Sequence, residues 1–168
     1  MKRLIFLLIS LICLGSMQKL TAQPKQEVRA AWVTAVYGLD WPRTRATSPQ
    51  KIQQQKNELI EILDKLRDAH FNTVLFQTRT RGDVLYQSAI EPYNSILTGQ
   101  VGKDPGYDPL AFAIEECHKR GMECHAWMVT IPLGNRKHVA ALGKASVTKK
   151  RPAICVPYKR EYFVNPGN

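Results

Sequence analysis

Residues 73–83, Thr73-Val74-Leu75-Phe76-Gln77-Thr78-Arg79-Thr80-Arg81-Gly82-Asp83, decide how the rest of the chain is read. The first six are β-formers with no polar–apolar alternation, the pattern of a strand buried on both faces. Asn72 ahead of them can take the left-handed turn that ends a helix. The charged, glycine-containing run from Arg79 to Asp83 then falls at the strand's C-terminal end. Upstream, residues 27–37 (EVRAAWVTAVY) carry the same two-sided apolar character and predict an earlier strand.

Between these two strands lies a helix. Ser48 is placed as its N-cap with Pro49 at the first helical position. Ile52, Leu59, Ile62, Leu63, Leu66 and Ala69 recur at helical spacing, and Lys56, Glu58, Asp64, Lys65 and Asp68 fall on the other side. Downstream, a long connection runs to Tyr107, where Asp108-Pro109 repeats the cap-plus-proline start. Leu110, Ala113, Ile114 and Cys117 form that helix's stripe, Gly121 closes it, and residues 123–130 (ECHAWMVT) predict a third strand. Beyond Pro132 the pattern weakens. At most a short helix is expected near residues 139–142, with no fourth strand.

A β-α-β-α-β order with helical crossovers calls for parallel strands with helices packed outside. The strands begin roughly 45 to 50 residues apart, too generous for a flavodoxin-like sheet and suited to a barrel with long loops at its strand ends. The expected fold class is therefore α/β: the first three βα units of a partial (β/α)8 TIM barrel. A whole barrel takes about 250 residues, so this chain is expected to stop before closure, leaving the C-terminal half of the barrel as its missing partner.

Residues 1–22 read as a signal peptide. Lys2 and Arg3 precede the apolar run Leu4, Ile5, Phe6, Leu7, Leu8, Ile9, Leu11, Ile12 and Leu14, which is shorter than the ~20 residues a spanning helix needs. Cleavage after Ala22 would send residues 23–168 to the periplasm, cell envelope or medium as one domain, with no stable membrane span. Cys117, Cys124 and Cys155 are an odd set without metal spacing and are expected to be buried thiols. No metal and no cofactor is expected.

The formal charge of +10 is unevenly placed. Lys2, Arg3 and Lys19 belong to the leader, and residues 23–133 hold 13 basic and 13 acidic side chains. The excess lies in the tail, where Arg136, Lys137, Lys144, Lys149, Lys150, Arg151, Lys159 and Arg160 face only Glu161. A basic stretch without interleaved aromatics in an exported chain suits a solvated loop better than a phosphate-tracking surface, so nucleic acid is not an expected partner.

Candidate site residues cluster at the strand ends. Arg79 and Arg81 share a parity, and their guanidinium forks suit carboxylates or sugar hydroxyls. Asp83, beside Gly82, is the best local carboxylate, with Asp40 next and Tyr86 close by. The alternative is that either arginine pairs with Asp83 or another carboxylate. His125 and Trp127 share a parity near the end of the third strand, and an aromatic plane beside polar donors is what a sugar face requires. Trp41 and Tyr37 have a similar claim, although Trp41 would serve equally by packing under the loop ahead of Ser48.

Five ordered blocks carry a resemblance: Val28-Arg29-Ala30-Ala31-Trp32, Gln77 to Asp83, Asp104-Pro105-Gly106-Tyr107-Asp108-Pro109-Leu110, Gly121-Met122-Glu123-Cys124-His125-Ala126-Trp127 and Asn165-Pro166-Gly167-Asn168. Together they resemble the N-terminal half of the bacterial glycosyl-hydrolase-like 10 family. The resemblance implies an exported TIM barrel acting on O-glycosidic bonds of polysaccharide or envelope glycan, with carbohydrate as substrate partner. In that family the pattern continues into a helix and a strand ending in Asp-Gly-x-x-x-Asp-Asp, which this sequence does not reach. Glycoside hydrolysis usually needs two carboxyls across the scissile bond, so the chain alone is expected to be inactive. Arg79, Arg81, Asp83, Tyr86, His125, Trp127, Trp41 and Asp40 would line the sugar subsite without being assigned as acid or nucleophile. The other reading is a non-catalytic carbohydrate-binding or assembly protein.

Overall fold

The computed structural model describes residues 27–167, so the expected leader lies outside the described residues. Three parallel strands, β1 (Ala30–Val33), β2 (Thr73–Arg79) and β3 (Glu123–Met128), pair in that order. Ala31 lies opposite Val74, Val33 opposite Phe76, Leu75 opposite His125 and Gln77 opposite Trp127. Helices α1 (Pro49–Asp68) and α2 (Pro109–Lys119) are the two crossovers. Both start as the sequence predicts. Ser48 Oγ accepts from the Lys51 amide, Asp108 Oδ1 accepts from the Ala111 amide, and a proline holds the first position of each helix.

Both helices cover one face of the sheet. Val33, Val74 and Phe76 pack there with Leu59 and Leu63 of α1 and with Ala113 and Cys117 of α2. Each such large side chain contributes about 1.5–3 kcal/mol by leaving water. The opposite face is open: Trp32 is 58% exposed, its ring meeting Trp127 edge-on at 4.6 Å.

Trp41 belongs to this core. It is 0% exposed, tilts against Phe76 at 5.5 Å and donates its Nε1 proton to the Gln55 carbonyl at 2.9 Å. Gln55, also fully buried, donates to the Thr44 and Leu97 carbonyls and accepts from the Tyr107 hydroxyl, so every polar atom of its side chain is satisfied. Burial and then the Glu58 charge push the Tyr107 hydroxyl well above the usual tyrosine range. The turn before β2 differs from expectation. His70, with φ 61°, takes the left-handed position, while Asn72 clasps the entry to β1, accepting from Arg29 N and donating to Glu27 O.

The tail overturns the expectation of no further strand. Strand β4 (Pro132–Asn135), helix α3 (Arg136–Leu142), the single-turn α4 (Val147–Lys150) and strands β5 (Cys155–Tyr158) and β6 (Glu161–Val164) follow, and the strands form a second, antiparallel sheet in the order β4-β6-β5. These strands are four residues long, two contain proline, and their hairpin turns through Lys159 at φ 54° instead of glycine or asparagine. Each property removes a sequence signal for a strand. Pro157 is tolerated because β5 is an edge. Cys117 is buried, Cys124 and Cys155 are half-buried, and all three are free thiols.

Candidate functional site

A groove of about 210 Å³ opens at the C-terminal ends of β1 and β2. Its construction begins with Gln77, buried on β2, whose Oε1 accepts from both the Ala35 and Val36 amides at 2.9 Å. That clamp turns the chain directly after β1. Asp40 closes the turn by accepting from Thr34 N at 2.8 Å, which makes it a structural cap of the loop. Tyr37, held at φ 57°, is thereby pushed out and remains 75% exposed. A tyrosine in the left-handed region costs of order 1–3 kcal/mol, and such positions cluster at ligand clamps.

Arg81 meets it from the loop after β2. Its guanidinium lies 4.8 Å from the Tyr37 ring centroid, and Nη2 donates to the Tyr37 hydroxyl at 2.6 Å. Thr80, Asn94, Ser95, Arg45 and His138 complete the groove's polar lining, with Ile96 and Val36 as apolar wall. Asp83 lies under the floor, 1% exposed. Its Oδ1 accepts from Thr80 Oγ1 and from the Arg81 amide, its Oδ2 is 3.5 Å from His138 Nε2, and Asn94 Nδ2 donates to Thr80 Oγ1 at 2.9 Å. His138 Nε2 is also 3.0 Å from the Arg81 carbonyl, an acceptor, so this nitrogen donates there. Asp83 therefore fixes the loop that aims Arg81 and does not pair with either arginine.

The other expected residues separate from this groove. Arg79 is buried and spent on structure: its guanidinium grips Glu91 and donates to the Val129 and Thr130 carbonyls. Tyr86 is half-buried beyond the groove. His125 and Trp127 do share a parity, but on the sheet's open face; His125 Nε2 meets Glu123 at 2.8 Å in solvent, and Trp127 packs on Trp32. His138 went unseen because nothing in its basic surroundings signals a site. Only Gly134, at φ 92°, hints at it: a Cβ there would sit 2.6 Å from the His138 ring.

The groove gathers two guanidinium groups, a carboxamide, hydroxyls and the His138 imidazole beside an exposed aromatic ring, and none of the described residues that line it is a carboxylate. Among the described residues no three His, Cys, Asp or Glu side chains converge to hold a metal ion, and no helix is long and apolar enough to cross a membrane.

The glycosyl hydrolase-like 10 family profile matches residues 27–164. Glycosyl hydrolase YngK of Bacillus subtilis (strain 168) is 38% identical over 147 residues, 87% of this chain and 28% of that protein. Glycosyl hydrolase DigH of Escherichia coli (strain K12) is 42% identical over 155 residues, 88% of this chain and 35% of that protein. The chain thus spans about a third of the length of these curated relatives. With the profile covering nearly every described residue, the chain belongs to the glycosyl hydrolase-like 10 family.

Proposed function

We propose that this chain supplies the glycan-binding strand ends of an exported glycoside hydrolase-like protein acting on O-glycosidic bonds of polysaccharide or envelope glycan. In this reading β1, α1, β2, α2 and β3 are the first units of a (β/α)8 barrel. The parallel order, the helices on one face and the open opposite face support it, as does the placement of the groove at the strand C-terminal ends, where such barrels keep their sites. The apolar leader in residues 1–22 supports export.

The Tyr37–Arg81 pair carries the reading. A sugar offers C–H faces that stack on an aromatic ring and hydroxyls that need donors, and this pair presents both at the mouth of one groove. Hydrolysis needs two carboxyls about 5 to 9.5 Å apart across the bond. Asp83 is enclosed beneath the floor, so the described residues bind and orient sugar and do not themselves form that pair. This favours the second reading, carbohydrate binding without turnover, for the chain taken alone.

Calorimetric titration with neutral and acidic oligosaccharides tests the proposal. Binding that Arg81→Ala or Tyr37→Ala weakens supports it; binding indifferent to both substitutions overturns it. Turnover of glycosides by this chain alone would overturn the assignment of a binding role only.

A further inference from the structure

The basic tail, which the sequence alone assigns to a solvated loop, is a folded unit with its own cleft. About 310 Å³ in volume, the cleft lies between α3, α4 and β6, and Arg136, Lys149, Thr148 and Tyr162 line it above an apolar floor that includes Val139. Helix α3 is shared with the groove. His138 faces the groove, while Arg136 and Ala140, two positions away on either side, face the cleft. At 100° per residue they lie about 200° around the helix from His138.

The charge balance of this unit is unlike that of the rest of the chain: residues 23–133 hold 13 basic and 13 acidic side chains, residues 136–161 eight basic and one acidic. In the α/β layer Arg67, Arg79, Lys119 and Arg120 form ion pairs with carboxylates. Of the eight lysines and arginines in residues 136–160, none forms an ion pair among the described residues. Glu161, the one acidic residue after Leu133, does not line the cleft. Like charges gathered on one small unit repel each other, and a bound polyanion relieves that repulsion while releasing counterions. Thr148 adds a hydroxyl fixed by Ser146 Oγ at 2.8 Å, and Tyr162 adds an aromatic surface.

We propose that this cleft is a second, anion-selective subsite that takes an acidic group, carboxylate or phosphate, of a polyanionic glycan strand crossing α3 from the groove. Arg136 and Lys149 supply the charge. The identity of the strand as a glycan rests on the function proposed above; the anion selectivity of the cleft does not.

The test measures binding of the full chain to four probes across a salt series: oligogalacturonate, phosphorylated dextran, neutral dextran of matched length and single-stranded DNA. The two acidic glycans distinguish carboxylate from phosphate as the recognised group. The expected result is that at least one of them binds more tightly than dextran and DNA. In R136E/K149E that affinity falls about tenfold or more, its log–log salt slope becomes shallower by about two units, and dextran binding is unchanged. R136Q/K149Q, which removes charge without reversing it, should give an intermediate loss at an unchanged thermal midpoint. Identical acidic-glycan binding by wild type and R136E/K149E overturns the proposal, and so does tighter binding of DNA than of either glycan. If R136E/K149E changes nothing while Arg81→Ala abolishes dextran binding, the groove reading stands and the cleft falls. If Arg81→Ala and Tyr37→Ala change nothing while R136E/K149E acts, the cleft stands and the groove reading falls.

Discussion

The Arg79 guanidinium closes on the Glu91 carboxylate through two parallel hydrogen bonds, Nη2 to Oε1 at 2.6 Å and Nε to Oε2 at 2.7 Å, with 9% of each side chain exposed. This bidentate pair ties the end of β2 to the long connection that supplies Asn94, Ser95 and Ile96 to the groove.

Breaking the pair from one side strands a buried charge. Arg79→Met or Glu91→Leu alone is expected to cost about 3–5 kcal/mol, and Arg79→Met with Glu91→Leu together far less than the sum, because neither charge is then left unpaired. Urea midpoints for the double-mutant cycle check this. Equal additive losses would show that the two side chains are not coupled.

Gly134 is expected to resist substitution. An alanine methyl there meets His138 Cδ2 at 2.6 Å, on a backbone at φ 92°. Gly134→Ala should lose about 1–3 kcal/mol and shift the His138 ring resonances in an NMR spectrum, whereas Gly121→Ala, with open space around it, should show only the backbone penalty.

Tyr37 and Arg81 meet at the groove mouth with little else resting on them. Tyr37→Ala and Arg81→Ala should each weaken oligosaccharide binding about tenfold, within the 1–2 kcal/mol expected of an exposed aromatic or guanidinium contact, while changing the thermal midpoint little. Tyr37→Phe should keep most of the affinity if stacking dominates, and lose it if the hydroxyl does.

Glu116 makes an acid-sensitive contribution to stability. The Lys119 ammonium, then the Arg120 guanidinium, hydrogen-bond its carboxylate at 2.7 Å and hold it below the ordinary glutamate value of 4.5, against burial that pushes it up. A carboxyl lowered on folding stabilises fully above its unfolded pKa, and that contribution disappears as pH falls through the folded one. Glu116→Gln should therefore be less stable than wild type at neutral pH, and the gap should close below about pH 4.5. Urea midpoints across pH measure it; a gap that stays constant through the acid range would rule out this ionisation as the source.

The parallel layer was legible in the sequence because its signals are local. Ser48-Pro49 and Asp108-Pro109 mark helix starts by chemistry within four residues, and the apolar runs of β2 and β3 lie between them. The small antiparallel sheet was not, since a hairpin through Lys159 and a proline on the edge strand carry no strand signal until long-range pairing with β4 forms. At the site, sequence correctly marked Arg81 and Asp83 as neighbours in one loop. Arg79 could not be told from Arg81 by parity or charge; its role was settled by Glu91, twelve residues away.

By itself, then, the sequence determined the β-α-β-α-β order, the family and the strand-end location of the polar loop, all consequences of residue type at short spacing. Only the tertiary structure decided which side chains share a space. Trp41 went to the core because Phe76 and the Gln55 carbonyl receive it. His138 came to the groove because Gly134 leaves room for its ring 55 positions downstream of Asp83. Contacts at that separation depend on how α3 packs, and no local pattern encodes them.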